Sequence, residues 1–174
     1  SVFAQNFTIA SDGDVTFGGD TTITNGVNFG GDGTLTLDGG ADLTGIVTNT
    51  VDGQGTLSIT NGNSASGGAI GSAGAHDLLG VQVGQGGTLT LGHDVAAGTV
   101  TVYHAGTLVL SGNRTITGDL ALNDTNLGGV GSAGTLTVGA NALSLTGALS
   151  AASGTTINVT ANSATSFGSV TATG

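Results

Sequence analysis

Polar and apolar residues alternate along this chain in short bursts, each entered through a glycine. The burst reads GTLTL at residues 33–37, GTLSI at 55–59 and GTLTL again at 87–91. It returns as GTVTV at 98–102, GTLVL at 106–110, GTLTV at 134–138 and GTTINV at 154–159. A period of two is that of a β-strand with one buried face, so Leu35 and Leu37 point one way and Thr34 and Thr36 the other. No run between the copies carries a helical period. A short strand rebuilt this often predicts a stack of similar units sharing one core.

Strands are expected at 7–10, 15–17, 21–24, 33–37, 45–51, 55–60 and 79–83, then at 87–91, 98–103, 106–110 and 114–122. The last are expected at 135–138, 142–145, 155–160 and 169–173. Turn pairs such as Asp12-Gly13, Asn25-Gly26 and Asp52-Gly53 separate them. The predicted fold is all-β: a single parallel β-solenoid over residues 1–174, an irregular right-handed β-helix. Residues 1–10 form an extended strand for assembly or capping. Because Asn-Gly and Asp-Gly also make two-residue hairpins, a β-sandwich is the alternative. The uneven spacing of the motif copies reads as coils of about 20 residues varied by loop insertions. The two glycine-rich stretches 61–75 and 125–134, which share the string GSAG, are the expected insertions.

Composition narrows the class. Gly accounts for 35 of 174 residues, yet Pro is absent and Val, Ile and Leu fall in register, which separates the chain from disordered glycine-rich sequence. All 11 acidic residues are Asp, Arg114 is the one permanent cation, and the net charge is −10. Asp favours turns and Glu favours helices, so this bias agrees with a fold without helices. A Lys-free acidic chain is unsuited to nucleic acid or an anionic membrane, both of which recruit Lys and Arg. No apolar run approaches the length of a membrane span. Ser1-Val2-Phe3-Ala4-Gln5 resembles the small-residue end of a signal-peptide cleavage region, giving the expectation of a mature secreted or cell-surface chain.

Strings such as GQGTLSITNG, GQGGTLTLGHDV and AGTLVLSGNRTITGDLAL, without Pro or Cys, resemble the passenger regions of bacterial autotransporter (type V) surface proteins. The similarity is to the rickettsial outer-membrane surface type in particular, and covers most of the chain from about Asp32. It implies a parallel β-helix at the cell surface acting in adhesion or as a protective layer. The membrane-anchoring β-barrel of such proteins has no counterpart in this sequence.

Several side-chain groups are candidates for chemistry. The pairs Thr22/Thr24, Thr34/Thr36, Thr88/Thr90, Thr99/Thr101, Thr115/Thr117 and Thr135/Thr137 would form hydroxyl and methyl rows if stacked, an arrangement similar to that of ice-binding solenoids. Thr is equally the ordinary outward residue of a strand, and uneven spacing would scatter the pairs over several faces. Asp12, Asp14 and Asp32, with Asp20, Asp38 and Asp42 nearby, are read by default as turn caps and secondarily as candidate Ca²⁺ ligands. The string around Asp32 resembles the start of the Ca²⁺-binding nonapeptide of toxin repeats but has Leu35 where that repeat carries its ligand. No other cofactor is expected. A carboxylate pair Asp12/Asp14 without cations or aromatic platforms is a poor glycosidase site. His76-Asp77 and His93-Asp94 are neighbours in sequence, which places their side chains on opposite faces of a strand and disfavours a triad. Tyr103 and His104 are expected to place one ring inside and one outside. No enzymatic activity is expected.

Aromatics are concentrated at the ends: Phe3, Phe7, Phe17 and Phe29 early, Phe167 late. They are expected either to cap the first and last coils or to make those coils complementary for head-to-tail docking. The expected interface is Val2, Phe3, Phe7, Ile9 and Phe167, with 2–9 adding as a strand to a neighbour. The function expected is that of a non-enzymatic extracellular structural subunit, with itself as head-to-tail partner in a fibre or layer. The alternative is a monomeric adhesin or ice-binding module facing a host or neighbouring cell. The sequons at Asn6, Asn113, Asn123 and Asn158 permit glycosylation.

Overall fold

In the computed structural model, residues 2–3, 6–19, 21–74, 76–123, 133–163 and 166–173 are described. Their strands are β1 (Val2–Phe3), β2 (Asn6–Ile9), β3 (Val15–Gly18), β4 (Thr22–Ile23), β5 (Gly26–Phe29), β6 (Thr34–Asp38) and β7 (Asp42–Leu43). Next come β8 (Ile46–Asn49), β9 (Thr56–Ser66), β10 (Leu78–Leu91), β11 (Val95–Val102), β12 (Thr107–Leu110), β13 (Arg114–Leu122) and β14 (Thr135–Gly139). The last are β15 (Ala142–Leu145), β16 (Leu149–Ala151), β17 (Thr156–Val159), β18 (Ala161–Ser163), β19 (Ser166–Phe167) and β20 (Ser169–Ala172).

These strands wind into a parallel β-solenoid of about 7 turns. Its coils have three walls. The first wall stacks β1, β4, β7, the second halves of β9 and β10, then β12, β14 and β17. The second stacks β2, β5, β8, the single residue Ile70, the first halves of β11 and β13, then β15 and β20. The third stacks β3, β6, the first halves of β9 and β10, the second halves of β11 and β13, and β16. Strand ladders within each wall are parallel, so the sandwich alternative is not the fold adopted. Asn25-Gly26, a hairpin signal on paper, enters β5 at the corner between two walls.

The uneven motif spacing has a cause the sequence does not display. The same pentapeptide serves two walls. Copies at 33–37, 55–59 and 98–102 lie on the third wall, and those at 87–91, 106–110, 134–138 and 154–159 on the first. Coil length itself starts regular, with Val2 on Thr22 and Thr22 on Asp42, and lengthens where Thr107 pairs with Thr135.

The core is a set of straight columns. On the third wall Val15, Leu35, Leu57, Val81, Val100, Leu120 and Leu149 lie one above the next. All but the first and last of these are fully buried. Each buried aliphatic side chain contributes on the order of 1.5–3 kcal/mol, which makes the columns the main source of stability.

Three expectations need correction. Of the stretch 61–75 expected as an insertion, residues 61–66 continue β9 around a corner, with Ser64 and Ser66 buried on the inward side, and Ile70 is in the core. Only a small hairpin closed by the Ser72–His76 bridge departs from the coil. The other expected insertion lies almost wholly outside the described residues. Phe29 is not a cap: it is 0% exposed, inside the second coil. The large ring is accommodated because Gly55 (φ +81°) stands against it, where any Cβ would overlap the ring. Tyr103 and His104 do not divide into one ring in and one out; both are half-buried at a corner.

Where the hairpin leaves, the second wall is reduced to Ile70, and Asn49 fills the gap. It follows Phe29 in the inward column and is 2% exposed. Its amide nitrogen donates to the carbonyls of Gln54 and Asp77, both at 2.8 Å. The side chain thus supplies hydrogen bonds that a missing strand residue would otherwise make.

Candidate functional site: the outer walls and the end coils

The aspartates form a series of staples between coils. Asp12 Oδ1 accepts from the Asp32 backbone N–H (3.2 Å) and Asp14 Oδ1 from that of Thr34 (3.0 Å). Asp42 holds Ala65 N–H at 3.0 Å, Asp52 holds Asp77 N–H at 2.9 Å, and Asp94 holds Thr115 N–H at 2.8 Å. Asp119 does the same for Ala148 at 2.8 Å, and Asn113 for Ala142 at 2.9 Å. In every case the carboxylate or amide oxygen on one coil receives an N–H of the next. The physical reason is the corner: there the chain turns out of the ladder, its N–H groups lose their strand partners, and a short acceptor side chain replaces them.

These bonds show how the expected Ca²⁺ ligands are used. Asp12, Asp14 and Asp32 do gather at one corner on successive coils, but Asp12 and Asp14 each engage an oxygen in a staple. Asp38 stands at a different corner, and Asp20 lies outside the described residues. Among the described residues no three His, Cys, Asp or Glu side chains are grouped to hold a metal ion. The Asp38 carboxyl is held below its ordinary range chiefly by the Asn61 amide, then by the Thr60 hydroxyl and the Gly39 backbone.

The two His-Asp dipeptides are separated into different duties. Asp77 receives Gly74 N–H (3.3 Å) inside the small hairpin, and Asp94 receives Thr115 N–H. Arg114 donates to three oxygens around the second-wall corner: Leu91 O (3.2 Å), Asn113 O (2.7 Å) and Ser111 Oγ (3.3 Å).

The Thr pairs do scatter over all three walls, but one wall collects several. On the first wall Thr88, Thr107, Thr135 and Thr156 form one outward row, and Thr90, Val109, Thr137 and Asn158 the next. Thr34/Thr36 and Thr99/Thr101 are on the third wall, and Thr115/Thr117 on the second.

The first coil contains four of the residues expected at the assembly interface. Val2 is exposed and Phe7 half-buried, its ring meeting that of Phe17 edge-on at 5.5 Å between centroids. Ile9 is buried within the same coil, and Phe3 pairs by its backbone with Ile23. The expected interface strand is therefore already paired along one edge, to the second coil of its own chain. Phe167 is on the distant short hairpin of β18 and β19, which is antiparallel. Asn49 and the staples were missed on sequence. One signal was readable: Asp14, Asp94 and Asn113 each directly precede a strand.

The sequence matches no protein-family model, and neither a curated protein nor a solved structure matches it.

Proposed function

We propose that this chain is a non-enzymatic extracellular structural subunit that assembles end to end by docking of its terminal coils. The observation that carries this reading is the fate of the core columns at either end. The half-buried apolar residues packed against the core are Phe7, Val15 and Phe17 in the first coil, and Leu149 and Val170 in the last strands. Ile157, next in the column of Leu89, Leu108 and Leu136, is 40% exposed, whereas those three are buried. Val159, at the end of the same strand, is exposed as well, at 48%, whereas Val2 pairs with the outward Thr22 and faces solvent. Apolar surface continuous with the core, beside strand edges, is stabilised by another set of strands. Such a contact is heterologous, so its repetition gives an open filament.

The acidic exterior supports solubility of a rod in this role, and a chain with one basic residue offers little to trypsin-like proteases. The resemblance to autotransporter passengers supports placement at a bacterial cell surface. Sedimentation velocity over a concentration series tests the reading. The parent chain is expected to grow in sedimentation coefficient with concentration, and the Ile157→Lys/Val159→Lys variant to remain a monomer. A parent chain that stays monomeric throughout would overturn the proposal.

A second reading rests on the first-wall threonine rows, which offer a flat, repeating hydroxyl and methyl surface to a periodic partner such as ice. Thermal hysteresis lost on Thr107→Lys and Thr135→Lys, without loss of folding, would establish it.

A further inference from the structure

We infer that successive copies dock with a rotation of one wall, so that β16, β17 and β20 of one copy pair with β1, β2 and β3 of the next. This rests on the end-to-end reading above and specifies its geometry.

The chain climbs the walls in a fixed order. It enters on the first wall with β1, visits first, second and third in unbroken rotation, and places its last strand, β20, on the second wall. The first and second walls therefore hold eight levels each and the third wall seven, as the strands named above for each wall show. The upper end is a staircase. Its next vacant step is on the third wall, above β16.

Two ways of adding a copy can be compared. If like walls are aligned, β1 sits on β17 and β2 on β20, but β3 then stands two levels above β16. The third wall is left one strand short, with backbone N–H and C=O groups of both copies unpaired and enclosed, each costing about 1–3 kcal/mol. If the added copy is turned by one wall, β1 falls on β16 and the staircase continues without a missing step.

Strand lengths agree with the turned arrangement. It sets β17 (4 residues) against β2 (4 residues), and Val170–Ala172 of β20 against Val15–Phe17 of β3. Side-chain alternation also continues. Ile157 lies in the inward column of Leu136, and Phe7 in that of Val27, so Phe7 stacks on Ile157. On the adjoining wall Val15 stacks on Val170 and Phe17 on Ala172, a large residue over a small one. Among the described residues no strand pairs with the outer edges of these six strands.

The geometry has a measurable consequence. Seven and two-thirds coils at about 4.8 Å each give a rise of roughly 37 Å per copy. Each copy is turned by about a third of a revolution, so orientation repeats after three copies, roughly 110 Å.

Because the chain has no cysteine, engineered pairs report the register directly. Outward neighbours across the turned junction are Thr8 and Asn158; across an aligned junction they are Thr8 and Thr171. All three positions are exposed, so the variants retain the core. Neighbouring strands bring such pairs within disulfide reach. Under mild oxidation Thr8→Cys/Asn158→Cys is expected to give a ladder of covalent oligomers, and Thr8→Cys/Thr171→Cys none. The reverse pattern overturns the inference while leaving end-to-end assembly intact. Failure of both pairs to cross-link in material that sediments as polymer also overturns it. A parent chain that never sediments above monomer defeats the assembly reading itself.

Discussion

Replacing Asn49 by Leu measures what holds the most irregular coil together. The asparagine is buried between Phe29 and the exit of the small hairpin, and its amide nitrogen serves the Gln54 and Asp77 carbonyls at 2.8 Å each. Leucine fits an apolar column and removes both donors. The Asp77 carbonyl still accepts from Gly53 N–H at 2.8 Å, so its loss is that of one of two partners, about 1 kcal/mol. The Gln54 carbonyl loses a donor in a buried setting, about 1–3 kcal/mol. Leucine returns about 1–2 kcal/mol through added apolar burial. The Asn49 Oδ1, which has no protein donor, removes a small penalty when deleted. The net expectation is a destabilisation of about 1 kcal/mol. Equilibrium urea unfolding followed by far-UV circular dichroism would show this as a midpoint lowered by roughly 0.5 M at the slope usual for small domains. Asn49→Asp should be worse, since it also buries a charge. A leucine variant as stable as the parent would refute the claim that this amide substitutes for a missing strand residue.

Other outcomes follow from the same physical picture. Asp94→Ala removes the acceptor for Thr115 N–H and should cost about 1 kcal/mol, while Asp94→Asn keeps an acceptor and should cost less than half as much, read by thermal unfolding. Gly53 and Gly55 share a left-handed backbone, but only Gly55 faces the Phe29 ring. Gly53→Ala should therefore cost about 1 kcal/mol from backbone strain, and Gly55→Ala several times more from overlap in the core. Asp38, with its carboxyl depressed from 3.8 by Asn61 and Thr60, contributes stability that is fully present above that value and is lost as pH falls through the lower folded value. Acid titration of unfolding free energy should lose part of its slope below pH 3.8 in Asp38→Asn.

The parallel solenoid was legible because its signal is local. GTLTL at 33–37 shows period two without tertiary information, and β6 forms there one residue later, over Thr34–Asp38. β13 at Arg114–Leu122 coincides with its expected span. What sequence could not supply is the pairing of distant coils. The strand Gly26–Phe29 was hidden behind Asn25-Gly26, a pair that favours hairpins in antiparallel sheets and here turns a parallel corner. Residues 61–66 looked like a loop because Gly62 and Ser64 lack the apolar alternation; they form strand because β10 pairs along them. The aspartate clusters invited a metal reading for a similar reason. An Asp that accepts an N–H some twenty residues later, as Asp14 does from Thr34, has the same local sequence as one awaiting a cation. Asn49 gave no signal at all, since its role depends on where a hairpin leaves the coil.

Electron microscopy of the purified 174-residue chain over a concentration series distinguishes an assembling subunit from a solitary rod. End-to-end docking should give unbranched filaments one solenoid wide, lengthening with concentration, and dispersed by the Ile157→Lys/Val159→Lys change. Short separate rods at every concentration would contradict it.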